Sequence, residues 1–155
     1  MALHIARLTD DRIAAAKDVF IRGCLEFFGQ PPVQCEDLDT TSTQYSEPSG
    51  IFLVLLDGDQ VVGTGAIRRL DPQTCELKRL WFLPAYRGQG HGRQMLAQLL
   101  AFAASAGCQR IRLDTAPELQ AANRLYRRLG FYLIERYNDG PATIFMEKIL
   151  SSAQV

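Results

Sequence analysis

The chain reads as one α/β domain, an α+β mixed sheet with helices packed on it, and three features of the sequence predict this. Two apolar runs in "IFLVLLDGDQVVGTGAIRRL" are joined by Asp57-Gly58, the turn chemistry of a tight hairpin. In "LWFLPAYRGQGHGRQML", residues 80–96, an apolar run ends at Pro84, glycines alternate at 88, 90 and 92, and a helical pattern starts at once. The other patterned stretches complete the order β, α, loop, β, β, β, α, β, α, β, β, which implies a mixed sheet.

Taken in order, "LHIARL" alternates like a short strand, and Thr9 is placed to cap a helix whose Ile13, Ala16, Phe20, Cys24 and Phe27 share a face and which Gly29 ends. Residues 30–50 are polar and turn-rich, a surface loop with one short helical piece at 36–40. After the hairpin, "TCELKRLWFL" continues the meander beyond Asp71-Pro72. Met95, Leu96, Leu99, Leu100 and Ala103 then mark a helix that Gly107 stops, and "RIRLDT" is a strand. Thr115 and Glu118 have the spacing of a capping box before a helix with Ala122, Leu125, Tyr126 and Leu129 on one face and Gly130 at its end. "FYLIERY" and "TIFMEKIL" read as closing strands.

A length of 155 residues suits a single core, so residues 1–150 form one domain and 151–155 a flexible tail. Seventeen basic and seventeen acidic residues cancel, leaving no global field for nucleic acid or an anionic membrane. The local exception is 78–93, where Lys78, Arg79, Arg87 and Arg93 stand without an acidic residue, which suits a compact anion. The start "MALHIARLTDD" is not a signal peptide and no apolar run spans a bilayer, so a soluble cytoplasmic protein is expected. Four scattered cysteines without a CxxC pair argue for reduced, mostly buried thiols, and two distant histidines, His4 and His91, argue against a metal site.

A strand that passes through glycines into a helix aims several N–H groups at one point, where the helix dipole adds positive potential. Residues 87–93 therefore read as a phosphate site, with Arg87 able to offer a charged fork; the alternative is a tight turn with solvated arginines. A P-loop needs Lys and Ser or Thr after the last glycine, whereas Arg93-Gln94 follow Gly92 here. The dinucleotide fingerprint needs G-x-G-x-x-G early in a βαβ unit; here the spacing is G-x-G-x-G after a hairpin meander, although Asp114 stands where the acidic residue would.

At these residues the sequence resembles the GNAT superfamily of acyl-CoA-dependent N-acyltransferases. Its signature Q/R-x-x-G-x-G/A is met by Arg87, Gly90 and Gly92, with Gly88 at a commonly glycine position, and "AANRLYRRLGF" looks like the second coenzyme motif. The resemblance covers residues 51–135 and implies a mostly antiparallel sheet with one splayed parallel strand pair. It implies acetyl-CoA as cosubstrate without a metal, its pyrophosphate on the amides of Gly88, Gln89, Gly90, His91, Gly92 and Arg93, and its pantetheine arm along the backbone of Leu80, Trp81 and Phe82. Many members carry an asparagine where Leu119 stands. Asn123 either takes over that pantetheine contact or is a solvated helix residue.

Attack on a thioester requires the free base of an amine that is mostly protonated at neutral pH, donors for the oxyanion, and an acid for the departing thiolate. The resemblance assigns these to Glu76, the amide near Phe82, and Tyr126. Glu76 is expected on one strand face with Lys78, Leu80 and Phe82, yet Leu80 is about 13 Å further along, so its role is a base acting through water or a simple ion pair with Lys78. Tyr126 is the acid or a core tyrosine. The His91 side chain is not a base in this reading, and Trp81 packs in the core. On the family's architecture, Tyr45, Glu26, Phe27, Phe28, Tyr137, Asn138 and Asp139 shape the acceptor pocket. The expected activity is N-acetyl transfer to an amine-bearing acceptor in a ternary complex. A non-catalytic acyl-CoA sensor and a nucleotide-binding module are the alternatives, and a homodimer is left open.

Overall fold

The computed structural model of the chain describes residues 2–33, 38 and 45–150. Its elements are β1 (Leu3–Arg7), α1 (Ile13–Phe28), β2 (Gly50–Asp57), β3 (Gln60–Asp71), β4 (Thr74–Phe82), α2 (His91–Ser105), β5 (Arg110–Thr115), α3 (Gln120–Arg128), β6 (Tyr132–Leu133) and β7 (Ile144–Ile149). The seven strands form one sheet in the order β1-β2-β3-β4-β5-β7-β6. All neighbours are antiparallel except β4 and β5, which are joined through α2.

Both faces of the sheet's centre are covered, which is why β2 reads as an unbroken apolar run. On one face Leu53, Leu55, Val62, Ile67 and Leu77 pack with Met95, Leu96 and Leu99 of α2 and with Tyr126 of α3. On the other, Phe52, Val54 and Ala66 pack with Ala16, Val19 and Phe20 of α1. The apolar positions read from the sequence for α1 and α2 are therefore the ones that attach these helices to the sheet. Among the described residues, no helix is long and apolar enough to cross a membrane.

Several expectations change. Cys75 and Cys108 form a disulfide, while Cys24 is buried and stands outside it. The pairing arises because the β4–α2–β5 crossover returns Cys108 to the start of β4, where Thr74 pairs with Arg110; sequence spacing carries no sign of it. Thr115 is not a helix cap: α3 starts after Leu119 without a side-chain cap, and Thr115 ends β5. Thr9 likewise precedes a short 3-10 turn, Asp10–Arg12, and makes no capping bond. The sixth strand is reduced to Tyr132–Leu133, because Arg136 binds the carbonyls of Asn138, Gly140 and Ala142 at 2.7–3.0 Å and folds 134–143 into a loop. The helical piece expected at 36–40 falls, apart from Leu38, outside the described residues, as do 151–155.

Candidate active site

The parallel pair is short. β4 and β5 are in register only at Thr74–Arg110, Cys75–Ile111 and Glu76–Arg112, and above Glu76 they diverge. β4 runs on to Phe82 paired with β3 alone. Its edge toward β5 is thus left with main-chain groups that have no strand partner, the arrangement to which an extended ligand adds as a strand.

A bulge reshapes that upper segment. Thr64 faces Trp81 but Ala66 faces Lys78, so β4 holds one extra residue. Arg79 absorbs it with a φ of 59°, and the Thr64 hydroxyl donates to the Arg79 carbonyl at 2.6 Å. The extra residue reverses the alternation, which corrects the expected common face of Glu76, Lys78, Leu80 and Phe82. Leu80 and Phe82 join the core beneath α2, and Trp81 turns to α1, 5.7 Å from the Phe20 ring and 6.2 Å from that of Phe27. Glu76 and Lys78 remain on the face opposite Leu77 and Leu80.

Beyond β4, a 3-10 turn at Pro84–Tyr86 leads into Gly88 and Gly90, with φ of 73° and 89°. These angles disfavour any side chain, although a Cβ at either position would meet nothing within 4 Å. Gly90 is the residue before α2 and supplies no side-chain cap. The first amide to close onto the helix is that of Gln94, on the Gly90 carbonyl at 3.1 Å, so those of His91, Gly92 and Arg93 point out of the helix end unpaired within it. Free amides, the positive end of a 15-residue helix and the exposed Arg93 together give this end of α2 a positive potential that suits an anion.

Arg87 is not aimed at that site. Its Nε donates to the Phe82 carbonyl at 2.8 Å, and its two terminal nitrogens grip the Glu26 carboxylate at 2.6 and 2.8 Å. That bond holds the Glu26 carboxyl below its usual range. The side chain of Arg87 therefore ties the end of β4 to α1 instead of offering a free fork. The imidazole of His91 turns aside into an open hollow of about 370 Å³ between β1 and α2 that His4 also lines. Its Nε2 is buried there without a hydrogen-bond partner among the described residues. The two histidines that are far apart in sequence thus share one hollow. No group of three or more metal-ligating side chains occurs among the described residues.

Tyr126 lies on α3, buried, with its ring 5.7 Å from that of Phe131. Its hydroxyl has no hydrogen-bond partner among the described residues. Burial, and then the charge of Asp114, push the phenol's pKa far up, so it keeps its proton at neutral pH. Asp114 stands on β5 above the last pair with β4, which puts this influence at the splay. Asn123, one turn before Tyr126, is buried and occupied at both ends: Thr115 donates to its Oδ1 at 2.8 Å and its Nδ2 donates to the Ala116 carbonyl at 2.9 Å. It locks the turn between β5 and α3.

At the vertex of the splay, Glu76 is 1% exposed. Arg68 donates to one carboxylate oxygen at 2.8 Å and the Tyr137 hydroxyl to the other at 2.6 Å. Lys78, the partner expected from sequence, is not the ion-pair partner found. Across the sheet the row continues through Arg112, whose Nε donates to Glu147 at 2.8 Å, to Tyr132, which donates to Glu147 at 2.6 Å. The link to Tyr137 is invisible to spacing arguments, since the two residues are 61 apart. Its one sequence sign is a lone aromatic within the turn-rich "RYNDGPAT".

The other pocket residues scatter. Tyr45 is buried edge-on against Phe52 at 5.3 Å, Phe27 and Phe28 surround Trp81, and Glu26 serves Arg87. Asn138 donates to Asp114 at 2.8 Å, and Asp139 is exposed.

Comparison with known proteins agrees with this geometry. The profile of the acetyltransferase (GNAT) family matches residues 19–131. An uncharacterised N-acetyltransferase of Escherichia coli, YjgM, is 34% identical over 102 residues, which are 64% of this chain and 61% of that protein. A GNAT-family acetyltransferase from Staphylococcus aureus superposes with a TM-score of 0.88 at 20% identity, over 97% of this chain and 100% of that one. YncA of Salmonella typhimurium, solved with acetyl-CoA, gives 0.77 at 20% identity, over 98% and 96%. At these identities the two structures establish the shared fold.

Proposed function

Because the chain belongs to the GNAT family of acetyltransferases, we propose that it transfers an acetyl group from acetyl-CoA to a primary amine by direct attack in a ternary complex. The carrying observation is the splay itself: a strand edge open from Leu77 to Phe82 leads straight to unpaired amides at the start of α2. The pyrophosphate sits on the amides from Gly88 to Arg93, and the pantetheine arm lies along Leu80, Trp81 and Phe82. Arg87 and Asn123 set the two walls of the cleft, the first by holding the end of β4 to α1 and the second by closing the β5–α3 turn.

The amine nitrogen forms a C–N bond to the thioester carbon, whose oxygen is held by the amide near Phe82. The C–S bond breaks as the sulfur takes the Tyr126 proton, and the proton lost from nitrogen restores the phenol. A hydroxyl that stays protonated at neutral pH and lacks an internal partner fits that task. Glu76 takes the proton released when the acceptor ammonium becomes a free amine. The reaction is placed in the cytoplasm, where acetyl-CoA is available; burial of Cys75 and Cys108 shields their bond from thiol reductants.

Two assays test this. Thermal shift with acetyl-CoA, NAD and ATP in parallel should show stabilisation by acetyl-CoA alone. Thiol release across an amine panel should then identify productive acceptors. Binding without turnover of any amine favours a coenzyme sensor, and stabilisation by NAD or ATP instead of acetyl-CoA favours a nucleotide-binding module.

A further inference from the structure

We propose that Tyr137 is the proton relay between the acceptor amine and Glu76. This rests on the acetyltransferase reading and deepens it. Glu76 is sealed from solvent, one oxygen under Arg68 and the other under Tyr137, so a proton from the acceptor reaches it only through one of these two groups. A guanidinium accepts no proton. The phenol both donates and accepts, and at 2.6 Å its own proton already points at the carboxylate.

The step balances without a tyrosinate. An ammonium N–H bond breaks as its proton passes, directly or through one water, to the Tyr137 oxygen; the phenol's O–H proton passes to Glu76 Oε2. The acceptor is left as a free amine and Glu76 as a carboxylic acid still bonded by Arg68. After product leaves, the proton returns to water by the same path.

The surroundings fix the phenol for this. Tyr137 sits on the loop that Arg136 closes, with Phe145 edge-on at 5.2 Å and the Arg112 guanidinium 5.5 Å over its ring. Its neighbour Asn138 anchors the loop to Asp114 on β5. The charged and titratable groups around the pair are Arg68 from β3, Lys78 on the same strand as Glu76, Arg112 and Asp114 from β5, and Glu147 of β7, which Arg112 and Arg110 face. Tyr137 is only partly buried, and the relay requires the open side of its hydroxyl to be the side that meets the acceptor.

The test uses the full chain and an alkyl amine that the wild type acetylates, with kcat/KM measured from pH 7 to pH 10 for wild type, Tyr137→Phe and Glu76→Gln. Phenylalanine keeps the ring contacts, and glutamine keeps an acceptor for Arg68. The relay predicts a loss of roughly 10²-fold at pH 7 in each variant, shrinking toward wild type as pH approaches the amine's pKa, with acetyl-CoA affinity unchanged. A double variant should lose no more than either single one. A loss constant across pH, or additive losses, overturns the relay and leaves the acetyltransferase reading standing. If Tyr137→Phe does not fold, Tyr137→Met, which also removes the hydroxyl, is measured with the same pH profile and the same two outcomes. Wild-type binding of acetyl-CoA without turnover of any amine overturns the acetyltransferase reading and the relay with it.

Discussion

The two halves of β4 face opposite demands. Its lower half, Thr74–Glu76, is hydrogen-bonded on both sides, buried, and stapled at Cys75 to the chain entering β5. Its upper half, from Leu77 to Phe82, is paired on one side, only partly buried beyond Leu77, and carries a bulge with a non-glycine residue at positive φ. The lower half is built as core; the upper half leaves main-chain groups unpaired, which a closed core would not tolerate without a ligand or water. On the proposed function, stability and coenzyme binding are thus divided along nine residues of one strand, with Glu76 at the border.

Changes above the border should damage binding or chemistry and spare the fold. The largest effect is expected for Gly90→Val, because a β-branched residue cannot hold a φ of 89° without reshaping the turn. Acetyl-CoA affinity measured by calorimetry should fall by about 100-fold or more with circular dichroism unchanged, a loss within the range of several amide contacts. Tyr126→Phe should follow, lowering kcat by roughly tenfold or more while coenzyme affinity holds, since the proposed donor would act in the transition state. Single-turnover kinetics would show whether thiolate departure is the step affected.

Below the border the signature inverts. Cys108→Ser opens a cross-link between positions 33 apart and should lower stability by about 4 kcal/mol in the loop-closure account, read as a lower midpoint in urea, with coenzyme affinity of the folded protein little changed. Alkylation before and after reduction should label Cys75 and Cys108 only after reduction. Arg87→Ala should give the smallest effect. Its contacts to Glu26 and the Phe82 carbonyl position the end of β4, so acetyl-CoA affinity should weaken only a few-fold, as for a partly exposed pair.

The glycine turn was legible because its conformation is written locally: Gly88 and Gly90 both take the positive φ that few other residues adopt. The strand and helix order was legible for the same reason, since the apolar periods of α1, β2 and α2 coincide with the faces that they bury. What escaped was set by distant partners. Arg79 gives no local sign of a bulge, so Leu80 and Phe82 were placed on the wrong face. The Cys75–Cys108 bond, the grip of Arg87 on Glu26 and the cover of Tyr137 over Glu76 all join segments that only the finished sheet brings together. Thr115 and Glu118 show the opposite failure: a locally valid capping pattern yielded to the strand pairing of β5, and the Thr115 hydroxyl went to Asn123.

Amide hydrogen exchange with and without acetyl-CoA tests the division of β4 most directly. The account predicts that the coenzyme slows exchange in the peptides covering Leu77–Phe82 and Gly88–Arg93, and leaves Thr74–Glu76, already paired on both sides, as it was. Protection confined to the hollow between β1 and α2, or no protection in either the upper strand or the glycine turn at saturating acetyl-CoA, would contradict it.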